Sequence, residues 1–277
     1  MTAAPEWGGD LTWQAGAAVP VGRRLAAVLV AVSLVGLLAF CWPLLIAPGA
    51  ALAQSTTAPL MLAVVLAVSL VVTLVAVSDG GLDVRAVAML GVLSAVGSLL
   101  RPIAAGTGGV ESVFVLLVLG GRVFGPGFGF LLGVSTMFAS ALLTGGVGPW
   151  LPYQMLAAGW VGLGAGLLPD RLRRQELRGI GELVLVAVYG AVAAVGYGLV
   201  MNLSYWPFLA GVGTGLSFLP GAPLAENVPR FLIYSVVTSL PWDLARAVTT
   251  VIGVAVLGHV LLLTLRRAAK RAVFVEA

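Results

Sequence analysis

Apolar residues run in long blocks separated by short polar or glycine-rich breaks. The blocks are Leu25–Ile46, Pro59–Val77, Ala86–Leu100, Ser112–Gly121, Phe124–Leu143, Pro152–Leu168, Ile180–Met201 and Phe231–Leu265. A helix crosses a bilayer with roughly 20 apolar residues, so the pattern predicts an all-α transmembrane bundle of about eight spans. The third and fourth blocks are short. They must lie inside the bundle or be lengthened by flanking residues. The last block is too long for one straight span and contains Pro241. Proline removes a backbone donor and crowds the preceding turn, so a kink or break is expected there, with the span proper running from about Pro241 to Leu265.

Composition narrows the class. The 277 residues are 60% hydrophobic and only 9% charged, with a mean hydropathy of +1.08. Soluble domains carry roughly 25% charged residues, so a soluble enzyme, a disordered chain and a nucleic-acid binder are excluded. The net charge of +4 is a topology signal here. Arg23 and Arg24, Arg85, Arg122, the group Arg171, Arg173, Arg174 and Arg178, and the group Arg266, Arg267, Lys270 and Arg271 fall in alternate connections. The other connections hold only Arg101 and Arg230. Because cations stay on the cytoplasmic side, both termini are expected there. Residues 1–22 then form a cytoplasmic tail without the features of a cleaved signal peptide, and 266–277 a basic one.

Absences are informative too. A lone Cys41 allows no intrachain disulfide, and a lone His259 no histidine-based zinc site. Lys270 is the only lysine, so no phosphate-binding Gly-Lys-Ser/Thr loop exists and the chain does not hydrolyse ATP itself. No nucleophile or metal-binding signature appears. No cofactor is expected.

The outward connections carry the candidate chemistry. Arg101–Glu111 is glycine-rich, Thr144–Tyr153 is compact and aromatic, and Asn202–Arg230 is long enough to fold as a lid. Their Trp and Tyr residues form either an interfacial aromatic belt or a binding site. Ionisable groups at membrane depth are costly and mark function or structural pairing. Asp243 and Arg246 lie three apart, on one helix face. They form either an ion pair that locks the helix or the wall of a ligand pocket, and the sequence leaves both open. Arg101 and Glu111 are placed to meet each other or a ligand. Glu182 reads as a helix N-terminal charge, and His259 as a packing residue rather than a proton relay. Small residues recur at helical spacing at Gly125, Gly129 and Gly133, at Ala158, Gly162 and Gly166, and at Ala88, Gly91, Ala95 and Ser98. Such ridges let backbones approach closely in lipid, inside a bundle or against another membrane protein.

Four features in order resemble a known family. They are the small-residue face of the block from Ala86, the turn Gly125-Pro126-x-x-Gly129-x-x-x-Gly133, the aromatic run Thr144–Gln154, and the segment Ser239-Leu240-Pro241-Trp242-Asp243-Leu244-Ala245-Arg246-Ala247. Together they are similar to the S components, the substrate-binding subunits of energy-coupling factor (ECF) transporters, of actinobacterial type. The resemblance implies a six-helix core over 79–265, preceded by two additional helices over 23–78. It implies capture of a vitamin or related micronutrient from outside, then inward delivery by toppling against a membrane coupling (T) protein that carries two cytosolic ABC ATPases. By position, the pocket would draw on Arg101, Glu111, Trp150, Tyr153, Gln154, Asn202, Tyr205, Trp206, Asn227, Arg230, Trp242, Asp243 and Arg246. Partner docking would fall on Ala88, Gly91, Ala95 and Ser98. Gly125, Pro126, Gly129 and Gly133 would serve helix packing. The family's strict AxxxA docking pattern is replaced here by Gly91-x-x-x-Ala95. The aromatic loops suit a flat or partly apolar ligand, and a corrinoid is the first candidate. A stand-alone secondary transporter and, behind it, a membrane enzyme are the alternatives. The scarcity of mid-membrane acids argues against the first.

Overall fold

The computed structural model describes residues 21–45, 84–104, 110–148, 150–172, 175–176, 179–207, 215–219 and 221–273, with scattered helical residues between 64 and 75. The described chain is helical apart from a two-residue hairpin, β1 (Arg171–Leu172) with β2 (Gln175–Glu176). The helices are α1 (Arg23–Leu45), α2 (Val84–Ala104), α3 (Val113–Phe124), α4 (Pro126–Thr144), α5 (Leu151–Gly166), α6 (Ile180–Tyr205), α7 (Leu224–Thr238) and α8 (Leu240–Val273). Among the described residues, five helices are long and apolar enough to cross a bilayer: α1, α2, α4, α6 and α8. The expected tail 1–22 lies outside the described residues except for its last two positions. The basic segment after Leu265 does not begin a separate tail at once, because α8 continues to Val273.

The short blocks resolve in the two expected ways. The third is lengthened by its flanks into the 21 residues of α2. The fourth becomes α3, in which all 12 residues are buried. At 1.5 Å per residue α3 is only about 18 Å long, too short to cross alone. It is instead the axis of the bundle, packed against α2, α4, α5, α6 and α8. An apolar helix without a polar face has no other stable position.

Gly125 makes the join between α3 and α4. Its φ of 93° lies in the left-handed region, which L side chains avoid. Pro126 then opens α4, where its missing N–H costs nothing. The Gly-Pro pair is thus a sharp turn between antiparallel neighbours. Beyond it, the two glycine ridges meet each other. A Cβ at Gly129 would lie 2.2 Å from the carbonyl oxygen of Gly162, and one at Gly133 would lie 2.2 Å from that of Ala158. Gly166 is pressed in the same way against Pro126. These two ridges serve internal packing, and α4 with α5 forms the most extensive helix contact.

The break in the last block falls two residues before Pro241. α7 ends at Thr238, and Ser239 adopts a non-helical φ of −126° before α8 begins at Leu240. Proline sits in the first turn of the new helix, where no partner is needed for the donor it lacks. Five of the helices, α1 and α3 through α6, contribute to one continuous apolar core together with α2 and α8, and Val65 and Val72 from the helical residues between 64 and 75 join it.

Candidate functional site

The ends of α2, α5 and α8, with Glu111 just before α3, gather Arg101, Glu111, Asp243 and Arg246 at one end of the bundle. Arg246 is the centre. Its Nε donates to Glu111 Oε2 at 2.8 Å, and its Nη1 donates to Asp243 Oδ1 at 2.8 Å and to the Ala194 carbonyl at 3.2 Å. The guanidinium also lies 5.4 Å from the ring centre of Phe114 and 5.1 Å from that of Tyr197. The planar cation is therefore held by two carboxylates at its edge and flanked by two aromatic rings. Gly198 makes room for Asp243, since a Cβ there would fall 1.9 Å from Oδ1.

Asp243 and Arg246 pair as their spacing allows. Arg101 and Glu111 each take another partner: Glu111 reaches across to Arg246, and Arg101 Nη2 donates to Gln154 Oε1 at 2.8 Å. Arg101 is half-buried and engages a neutral amide. Among the described residues it is the cation at this end without a carboxylate partner. Tyr197 is buried beside Arg246, and its ring packs edge-on against Phe114.

The aromatic candidates divide. Trp150 caps the start of α5, is 38% exposed, and donates its indole N–H to the Gly146 carbonyl at 3.1 Å. Tyr153 turns away from the charged centre and packs edge-on against Phe40 of α1. Trp206 is buried against Phe218 and Phe231, and its indole N–H donates to the Leu216 carbonyl at 2.7 Å. Trp242 is 50% exposed on the outside of α8. Tyr205 is the last residue of α6, and its side chain lies outside the described residues.

The polar candidates of the long connection are structural in their contacts. Asn227 is buried. Its Oδ1 accepts from the Leu219 amide, and its Nδ2 donates to the carbonyls of Leu219 and Ala222. Asn202 donates to Ser239 Oγ, tying the end of α6 to the break between α7 and α8. Arg230 pairs with Glu226 one turn away and donates to the Gly215 carbonyl. These bonds tie the described parts of the connection together, and Leu44 of α1 packs against its aromatic cluster.

On α2, Ala88, Gly91 and Ala95 are exposed along one face with Val92 and Leu99, and nothing lies within 4 Å of a Cβ built on Gly91. Ser98 departs from that face. It is fully buried, donating its hydroxyl to the Ser94 carbonyl at 2.5 Å toward the interior of the bundle.

A second charged cluster at the opposite end was not foreseen from the sequence. Arg122, at the end of α3, donates Nε to Glu182 at 2.8 Å and pairs with Asp170 at 2.9 Å. Arg266 of α8 closes on the same Glu182 oxygen at 2.5 Å. Glu182 lies in the first turn of α6, as its position in the sequence leads one to expect, and in addition it is a buried tie between three helices. The signal available was a pair of opposite charges bounding apolar blocks, but 60 residues separate Arg122 from Glu182. Among the described residues no group of three His, Cys, Asp or Glu residues is placed to hold a metal.

A family model described as ECF transporter, substrate-specific component, matches residues 85–261, more than half of the chain. No curated protein and no solved structure matches it.

Proposed function

The chain belongs to the substrate-specific components of ECF transporters, and from that premise we propose that it captures a vitamin or related micronutrient at its outer face. It is a multi-pass membrane subunit that binds substrate and is not an enzyme. In our reading the core over 79–265 crosses six times, the helices over 23–78 add two crossings, and both termini are cytoplasmic, as the arginine distribution requires.

The observation that carries the reading is the meeting of Arg101 with Gln154 and of Glu111 with Arg246, from α2, α5, α8 and a residue just before α3, at one bundle end. Arg246 already donates to two carboxylates and a carbonyl, and both carboxylates neutralise its charge. We assign it, with Asp243 and Glu111, to fixing the helix ends that shape the pocket. Arg101 remains to meet an anionic group on the ligand, and Trp150 to cover an apolar ring. A corrinoid, large and carrying polar side groups, is the first substrate to test.

Release inward requires energy, and the chain has no nucleotide loop of its own. We assign that step to a coupling protein with two ATPases, docked on the exposed face of Ala88, Gly91 and Ala95. Co-purification of the tagged protein from its native membrane, with mass spectrometry of proteins and extracted small molecules, tests the whole reading. A coupling protein, two ATPases and a bound micronutrient are expected. A preparation lacking any ATPase, under conditions that preserve complexes, overturns it in favour of a stand-alone transporter. Titration with cobalamin, read by its visible absorbance, tests the corrinoid assignment separately.

A further inference from the structure

At the end of the bundle opposite the candidate substrate site, α6 and α8 enclose a pocket of about 350 Å³. Arg266 and Arg267 stand at its rim, and Leu183, Leu262 and Leu263 form its wall. Glu182 also lines it, but its charge is taken up by Arg122 and Arg266. In this neighbourhood three arginines face two carboxylates, Glu182 and Asp170, leaving one net positive charge. Among the described residues Arg267 has no ion-pair partner.

The apolar wall does not end at the pocket. On α8, exposed Val256 and Val260 share the helix face of Leu263 and Arg267, and on α6 Val184 and Val188 are exposed as well. A soluble anion would use only the rim. A ligand with an anionic head and a long apolar tail would use both the rim and the groove. We infer that this pocket is a binding site for an anionic phospholipid, its phosphate held by Arg266 and Arg267 and one acyl chain lying between α6 and α8. Basic pockets between helices on the side where cations collect are suited to such headgroups, and the bidentate geometry of a guanidinium suits phosphate.

The site has a structural consequence. Arg266 is shared between the pocket rim and the buried tie to Glu182, so a bound phosphate and the three-helix junction meet at one guanidinium. Lipid occupancy would thereby stabilise the junction of α3, α6 and α8.

The full-length protein in detergent, examined by native mass spectrometry and thermal unfolding with added lipid, tests this. Phosphatidylglycerol is expected to give a retained one-lipid adduct and a raised Tm. Phosphatidylcholine of the same chains should give at least tenfold less adduct. Arg267→Glu, on an exposed position that leaves the Glu182 tie intact, should abolish the difference between the two lipids. A second variant, Leu263→Asp, should weaken retention of phosphatidylglycerol through the groove. Equal retention of the two lipids, or unchanged discrimination in Arg267→Glu, would overturn the proposal. So would an equal Tm rise with inorganic phosphate or glycerol 3-phosphate, which would mark a phosphate site without lipid. If Arg267→Glu instead keeps its lipid adduct and loses a co-purifying membrane protein, the rim is a protein contact and the lipid assignment fails.

Discussion

At the residue scale, the chain places its costliest groups at the two ends of α3. Glu111, Asp243 and Arg246 gather at one end, and Arg122, Glu182 and Arg266 at the other. Removing one partner from a buried ion pair leaves an uncompensated charge, at a cost of about 3–5 kcal/mol. Arg246→Ala would leave two carboxylates facing each other beside Phe114 and Tyr197, so it should lower the Tm in detergent strongly and reduce membrane yield. Combining it with Glu111→Gln and Asp243→Asn removes the stranded charges and should restore part of the loss. Additive losses in that series would refute the lock. Arg101→Ala is the contrasting case. It breaks one bond to a neutral amide, so it should leave the Tm within a few degrees while weakening binding of an anionic substrate. A binding isotherm on the folded variant separates the two arginines. The sequence offered the lock and the ligand contact only as alternatives, without the partners that distinguish them. Asp243 and Arg246 declare themselves by their three-residue spacing, whereas Glu111 lies 135 residues from Arg246 and Arg101 lies 53 from Gln154. Only tertiary packing selects among such distant partners.

At the scale of the elements, the sequence is most informative where backbone chemistry is decisive. Helix existence followed from the apolar blocks, and the turn at Gly125-Pro126 from its positive φ and its N-terminal proline. Pro241 correctly signalled an interruption but not its place. The break falls at Ser239, because a proline in the first turn opens a helix rather than bending it. Small-residue spacing alone could not say what each ridge touches. Two of the three ridges close on each other across α4 and α5, while Gly91 on α2 faces open space. This difference predicts opposite outcomes for similar substitutions. Gly162→Ala puts a methyl group 2.0 Å from the Gly129 carbonyl, and overpacking of this kind costs about 1–3 kcal/mol. Thermal unfolding should show a clear drop in Tm. Gly91→Leu should leave the Tm unchanged and, if α2 is the docking face, reduce the coupling protein recovered in a pull-down. A destabilised Gly91→Leu would mean that the face is already covered within the chain.

At the scale of the whole molecule, α1, which precedes the matched region, is part of the same core, and Val65 and Val72 join it. Phe40 packs against Tyr153 and Trp160, Gly36 admits Leu156, and Trp160 donates to Ser33 at 3.0 Å. Leu44 extends the contact to the aromatic cluster of Trp206, Phe218 and Phe231. α1 thus supports both α5 and the aromatic cluster of the connection. This coupling yields two linked predictions. Trp206→Ala empties the centre of the connection, so a bound micronutrient should dissociate faster while the helix bundle keeps its Tm within a few degrees. A chain beginning at residue 79 removes the partner of Tyr153, Leu156 and Trp160 together with the support for that connection. It should show both a lower Tm and the faster dissociation. Stopped-flow release of substrate, measured beside thermal unfolding on both proteins, distinguishes the cases. If the shortened chain unfolds and releases like the full one, α1 is an appendage and its contacts carry no function. If it matches Trp206→Ala in release but falls below it in stability, α1 acts through the connection as well as through the core, because the same helix buries against both.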